Sequence, residues 1–414
     1  MNNVKATLEK QSWWQLTTIQ IGGAICMPVL MAGQQIAIHY GLKAAIIAIV
    51  IGNLLLLGIG IPHISLAYEK KASTIENAIN CFGKAGTWIV GISMIVALIG
   101  WFAIQLQLVG LSTLHLINLF IGNNIIPSSM VIIIWGIIMT GMSMRGIKGV
   151  TMLADYSMPL LIGTIAYAAI KASAMPLIQT QPEVGLLKGI TLIITSTLLV
   201  VIDIPTYYRH SQSRKDGYIS LFVLYAIATP VIQFVGAYIA MHSYGGSIVD
   251  TFAQQGGVLW QLWISAFLVL AGWTTNNTNI YSAAVTLESL LPSLSHYWRT
   301  ISIGLIGTIV ACFPMLNHYE KTLSAMTILI GSMGAIVITS FLFNRYIYVL
   351  KESNSKTYAL GSWVIGSLTG FLSFLGYIHI TGSALLDTFS IATICTFFSF
   401  LTTVYSQKHP EGNS

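Results

Sequence analysis

The sequence predicts an all-α polytopic membrane protein, a single membrane domain over residues 1–414 with twelve transmembrane helices. Three observations carry that prediction. Of the 414 residues, 55% are hydrophobic and 8% charged, whereas a soluble globular chain carries about 25% charged residues; the mean hydropathy is +0.76. Apolar stretches long enough to cross a bilayer, which takes about 20 residues, recur twelve times with short links between them. The basic residues, finally, fall in alternate links.

The stretches run roughly 13–38, 42–66, 87–118, 124–146, 150–172, 187–208, 217–243, 257–287, 298–316, 322–346, 359–380 and 384–406. Every backbone polar group in lipid must be satisfied within a helix or a closed barrel, and runs of this length mean helices. With the N-terminus in the cytoplasm, fifteen of the nineteen Lys and Arg lie inside, leaving Lys43, Lys171, Lys188 and Lys321 outside. The positive-inside rule then puts both termini in the cytoplasm, in a cell (inner) membrane. A pI near 9.0 is thereby a topology signal, and no nucleic-acid partner is expected. The first stretch lacks a small-residue cleavage site and reads as a retained helix, not a signal peptide.

Taken in order, three stretches carry unusual chemistry. The first contains IGGAICMPVLMAG at 21–33, where Gly22, Gly23, Pro28 and Gly33 weaken or interrupt helical geometry. Such a segment either breaks and frees carbonyls to line a cavity, or stays a kinked but closed helix. The third contains IGWFAIQLQ at 99–107, with Trp101 and Gln105 one turn apart on one face. An indole beside a carboxamide suits a flat, amide-bearing ring. The alternative is an interfacial Trp and a Gln bonded to a neighbouring helix.

The eighth contains AGWTTNNTNIYS at 271–282, with six uncharged polar residues in succession from Thr274 to Asn279. At about 100° per residue, Ala271, Thr274, Thr275 and Thr278 share a face and Asn276 lies on an adjacent one. The hydroxyls are hard oxygen ligands of the kind a small cation such as Na⁺ prefers, by analogy with other hard ions. Helix–helix hydrogen bonding is the competing explanation. It accounts well for one or two such residues and less well for six.

Other chemistries find no footing. The chain has no G-x-x-x-x-G-K-[ST] phosphate loop, no H-E-x-x-H, no G-x-S-x-G and no paired intramembrane carboxylates. Its four cysteines, Cys26, Cys81, Cys312 and Cys395, form no C-x-x-C pair, so disulfide and zinc readings have little support. Asp155, Asp203, Glu288 and Asp387 fall at or near helix ends, where water is expected to reach them. A membrane centre rich in polar groups but almost free of charge suits a neutral polar solute. It does not suit an enzyme.

In its motifs the chain resembles the nucleobase:cation symporter-1 family, the cytosine permeases above all. The residues that carry the resemblance are IGNLLL (51–56), GWF (100–102), WTTN (273–276) with Tyr281, and DIPTYYR (203–209), which is similar to the family's N-I-x-D-F-x-R. The resemblance is continuous through the eighth stretch and weak after the ninth. It implies a leucine-transporter-type fold of two inverted five-helix repeats, 13–172 and 187–346, with helices 1 and 6 broken at mid-membrane. Two peripheral helices, 359–406, complete it.

It further implies a sodium ion held by the carbonyls of Gly22, Ile25 and Ala271 and the hydroxyls of Thr274 and Thr275. A solute would stack on Trp101 and present its polar edge to Gln105 and Asn276. Backbone at Cys26, Met27 and Pro28, with Ser196 and Thr197 of helix 6, would close the pocket. Three departures stand out: Thr197 occupies the place of a second aromatic, Asp203 and Thr206 replace the signature Asn and Asp, and helix 6 has no glycine at its expected break.

The expected activity is secondary active import of a neutral nucleobase or related planar heterocycle, purine or pyrimidine, by sodium symport with alternating access. Sodium serves as coupling ion with no other cofactor, and the protein acts as a monomer in the lipid bilayer. Alternatives are a proton-coupled carrier of a thiamine-precursor pyrimidine, of a ureide such as allantoin or of a small neutral amino acid, and an uncoupled facilitator or channel.

Overall fold

Helix starts and stops follow local chemistry. In the computed structural model, which describes residues 10–122, 126–173, 185–242, 257–346 and 355–408, α1 (Trp13–Ala24) begins at Ser12. The Ser12 and Gln15 side chains cap each other's backbone donors there, a reciprocal box that satisfies two of the helix's free N–H groups. Just before it, Gln11 pairs with a distant segment, its N–H donating to the His210 carbonyl at 2.7 Å while Gln212 N–H donates to Gln11 at 3.0 Å.

Helix α1 stops where the sequence predicts trouble. Ile25 (φ −74°, ψ 75°) and Cys26 (φ −137°, ψ 159°) leave the helical region, and α2 (Met27–Lys70) restarts with Pro28 in its first turn. The physical reason is that a proline ring in a continuous helix would press on the carbonyl four residues back, here that of Ala24. At a helix start Pro28 loses nothing, because that N–H has no intrahelical partner anyway. Of the two alternatives open from sequence, the broken helix is the one the chain adopts.

Two later bends come at glycines. Gly41 (φ 78°) folds α2 into two limbs, the remainder of the first apolar stretch and the second. Gly83 (φ 66°) sets off the first turns of α3 (Thr74–Ile121) from the third stretch. There follow α4 (Ser128–Ser143), α5 (Gly146–Ala172), α6 (Leu186–Ile202), the short α7 (Ile204–Tyr208) and α8 (Arg214–Phe222). A π-helical segment, Val223–Ala228, joins α8 to α9 (Thr229–Met241). Helices α10 (Val258–Leu290), α11 (His296–Ala311), α12 (Tyr319–Tyr346), α13 (Ser355–Phe374) and α14 (Ala384–Lys408) complete the order. The start of the fourth apolar stretch and the last residue of the seventh lie outside the described residues. Among the described residues, eight helical segments are long and apolar enough to cross a membrane, and two shorter apolar helices accompany them. This is a multi-pass membrane fold.

The helices gather into two groups. In one, α2 lies along α6 and α9; in the other, α3 lies along α10 with α4 and α11 beside them. Small residues allow close approach within each. A Cβ on Gly33 would stand 1.8 Å from the Gln233 carbonyl oxygen, and one on Gly236 2.1 Å from that of Leu30, so α2 and α9 meet backbone to backbone. Helix α1 runs against α5, α8 and α10, and α13 and α14 pack on each other and on α12.

The sixth stretch differs from expectation. Helix α6 runs uninterrupted through Ser196 and Thr197, and the interruption falls at Asp203 (φ −87°, ψ 4°). Pro205, in the first turn of α7, supplies the cause, since no glycine is needed to end a helix ahead of a proline. The carboxylates also need correcting. Asp155 is exposed and the Glu288 side chain is 55% exposed, but Asp203 and Asp387 are 4% and 0% exposed. The end of a helix is not always the edge of the protein: other elements cover these two.

Candidate functional site

The break in the first span exposes backbone that α10 answers. Thr274 donates its hydroxyl to the Gly22 carbonyl at 2.8 Å and Thr275 donates to the Gly23 carbonyl at 3.2 Å. Both hydroxyls also lie 2.9 Å from the Ala271 carbonyl oxygen. Five oxygens from two helices thus converge, none formally charged. Of the residues expected at a sodium seat, Gly22, Ala271, Thr274 and Thr275 come together. Ile25 sits at the interruption itself, and Gly23 joins the cluster without having been expected there.

Next to this cluster lies a cavity between α1, α2, α3, α6, α7 and α10. Cys26, Trp101, Ser196, Thr197 and Thr275, all singled out from sequence, line it. Thr197 Oγ1 and Trp101 Nε1 are buried without a hydrogen-bond partner, as is Gln105 Nε2, which lies within hydrogen-bonding reach of the cavity-lining Cys26. A buried polar atom left unpaired costs about 1–3 kcal/mol, so the two on the cavity wall, at Trp101 and Thr197, favour a ligand that offers acceptors. The side chain of Met27 lies outside the described residues.

Asn276 is placed elsewhere. Fully buried, it donates to the Phe102 carbonyl at 3.2 Å and approaches Met139 Sδ at 3.4 Å, so it ties α10 to α3 and α4. Asn277 does similar work, accepting from Ser143 of α4 at 2.8 Å. Besides Gln20 of α1, the carboxamide on the cavity wall is that of Asn279. A signal for it exists in the sequence: Thr275, Thr278 and Asn279 are spaced i, i+3, i+4 and share one helical face, and all three line the cavity.

The sixth span supplies the rest of the wall. Ser196 accepts at 3.4 Å from Gln233, whose own oxygen accepts from Asn53 at 2.6 Å, so α2, α9 and α6 are held as one body. Farther along, Asp203 and Tyr207 line the cavity, and neither was expected there. Asp203 Oδ1 accepts from Thr74 at 2.9 Å and from Thr206 at 2.6 Å, and Oδ2 accepts from Ser282. Tyr207 donates to the Thr278 carbonyl at 2.7 Å.

These features agree with the comparisons. The family model described as permease for cytosine/purines, uracil, thiamine, allantoin matches residues 4–398. The chain belongs to the nucleobase:cation symporter-1 family. The permease is accordingly a membrane transporter and not an enzyme.

Solved structures agree on the fold. Mhp1, a nucleobase-cation-symport-1 family transporter, in a closed conformation with bromovinylhydantoin bound, superposes with a TM-score of 0.79 at 18% identity, over 98% of this chain and 96% of Mhp1. Its inward-facing conformation gives 0.77 at 16%, over 98% and 95%. A substrate-bound outward-open Na⁺-coupled sialic acid symporter gives 0.70 at 14%, over 96% and 90%. No curated protein matches the sequence. The permease thus shares the Mhp1 architecture while its side chains have diverged widely.

Proposed function

We propose that the permease imports a neutral, planar nucleobase-like heterocycle by sodium symport with alternating access. Twelve spans build it, the first ten as inverted five-helix repeats at 13–172 and 187–346 and the last two, 359–406, at the periphery. It acts as a monomer in the inner membrane with both termini cytoplasmic. The observation that carries this reading is the uncharged oxygen cluster of Gly22, Gly23, Ala271, Thr274 and Thr275 beside a cavity with unpaired polar groups. A cation at that cluster bridges α1 and α10, so it favours the arrangement that holds them together. The bound hydantoin of Mhp1 and the sodium coupling of the sialic acid symporter, both of the same fold, support the assignment.

The solute stacks on Trp101, with Thr197, Gln105 and Asn279 reading its edge, while Asn276 holds the helices in register. Asp203 is six residues beyond Thr197, about 9 Å along the helix axis, so a single ring on Trp101 need not meet its charge. With only oxygen dipoles around it, sodium binds weakly and responds to membrane potential, at about 2.3 kcal/mol per charge per 100 mV.

The test is uptake of radiolabelled cytosine, uracil, adenine and hypoxanthine into proteoliposomes with and without an inward sodium gradient. At least one of these compounds accumulates only with the gradient. Thr275→Ala loses sodium dependence before it loses substrate binding. Uptake indifferent to sodium, or an unaltered sodium response in Thr275→Ala, overturns the coupling assignment.

A further inference from the structure

We infer that the Asp203 cluster is a second seat for a monovalent cation, sodium or a proton, separate from the uncharged seat at Thr274 and Thr275. The inference goes beyond the proposed symport but rests on its reading of the cavity as the transport path. Among the described residues, Asp203 is the one charged residue on the cavity wall. Three elements converge on it with hydroxyl oxygens: Thr74 at the start of α3, Thr206 in α7 and Ser282 in α10.

The charges around it do not balance. Arg209, which follows α7, pairs with Glu76 of α3 at 3.2 Å, and Arg299 of α11 pairs with Glu288 of α10 at 3.2 Å. Those two cations are matched by those two carboxylates, and Asp203 makes a third. Arg209 is the cation whose charge reaches Asp203, and Glu76 already engages it. The remaining titratable groups nearby are Tyr207, Tyr281 and His210, and the last two are hydrogen-bonded to each other at 3.2 Å. Asp203 closes α6 and opens the five-residue α7, and its side chain caps no backbone N–H of α7. A buried carboxylate whose hydrogen-bond donors are hydroxyls, with Arg209 shared with Glu76, is stabilised by an added positive charge.

The donor set suits such an ion. Each hydroxyl keeps two lone pairs when it donates to the carboxylate, and a carboxylate oxygen accepts at about two sites. Oδ1 already accepts twice and Oδ2 once, which leaves Oδ2 a site for a proton or for shared coordination of a hard cation. Because Asp203 ends α6, Thr74 begins α3 and Ser282 belongs to α10, occupancy is coupled to how the two helix groups meet.

Sodium bound per protein, measured with radioactive sodium on the purified permease, and substrate-driven proton uptake into dye-loaded proteoliposomes test this on two arms. If the ion is sodium, Asp203→Asn lowers saturating sodium by one per protein, while Thr274→Ala/Thr275→Ala lowers it by a different one. If it is a proton, the sodium count holds and the wild type's substrate-driven proton uptake vanishes in Asp203→Asn. Ser282→Ala, which removes one oxygen and leaves the charge, weakens the same cation by about tenfold, equivalent to 1.4 kcal/mol. It serves where Asp203→Asn fails to fold. Wild-type sodium count together with wild-type proton behaviour in Asp203→Asn overturns the second seat, as does unchanged cation affinity in Ser282→Ala. Failure of the threonine variants alone to alter sodium binding overturns the uncharged seat and leaves Asp203 standing.

Discussion

The two interrupted spans solve one problem with different chemistry. Between α1 and α2 the backbone itself opens at Ile25 and Cys26, and hydroxyls of α10 meet the carbonyls of the last turn of α1. Between α6 and α7 the dihedrals at Asp203 stay close to helical, and it is a side chain that faces the gap. The first junction is built of dipoles and carries no formal charge of its own. The second carries a carboxylate, Asp203, which the proposed second cation would neutralise. A weakly held ion that must leave on each cycle suits the first, and a tightly held one or a proton suits the second.

That contrast can be broken at several points. The largest effect is expected from Gly33→Ala. The new Cβ would fall 1.8 Å from the Gln233 carbonyl oxygen, so the first limb of α2 must leave α9, at a cost of about 3 kcal/mol or more, the upper end for overpacking. Thermal unfolding in detergent reads this directly, and a wild-type midpoint would show that the limb next to the first junction is not held by that contact.

A smaller loss is expected at Trp101, which lines the cavity with its Nε1 unpaired. Trp101→Ala weakens planar-ring binding by about 1–3 kcal/mol, the range for a base stacked on an aromatic side chain, while radioactive sodium still binds. Unaltered ring affinity by equilibrium binding would remove stacking from the mechanism.

The smallest and most discriminating change is Pro205→Ala. It restores a backbone donor, so the near-helical Asp203 junction closes into a continuous helix. Transport slows by about tenfold, or 1.36 kcal/mol on the barrier, with substrate affinity retained. Uptake at the wild-type rate would mean that the second junction is not used as a hinge, and the two interruptions would then differ in role as well as in chemistry.

Much of this was legible before the fold was seen, and the limits have a physical cause. Pro28 disfavours a continuous helix, so a break or a kink near it follows from covalent geometry, and the fold settles which. The shared face of Ala271, Thr274 and Thr275 follows from helical periodicity alone. Periodicity gives the angle between two side chains but not which angle faces the cavity. Helix α10 is bonded through side chains to α3 and α4 on one side and borders α1 on another, so Asn276 and Asn279 were indistinguishable until those neighbours were in place. Depth was hidden for a similar reason. Asp203 ends a helix in the sequence, yet Thr74 and Ser282, 129 and 79 residues away, cover it.

The sequence by itself determined that the chain lives in a membrane, that its first span is broken or kinked near Pro28, and that one face of its eighth span carries hydroxyls. These are consequences of composition, of proline geometry and of the helical repeat, all properties of neighbouring residues. Only the tertiary structure decided which amide of the eighth span meets the cavity, where the sixth span is interrupted, and that a carboxylate lines a cavity beside an uncharged oxygen cluster. Those depend on contacts between residues far apart in the chain, and no local pattern encodes which distant hydroxyl will reach a given oxygen.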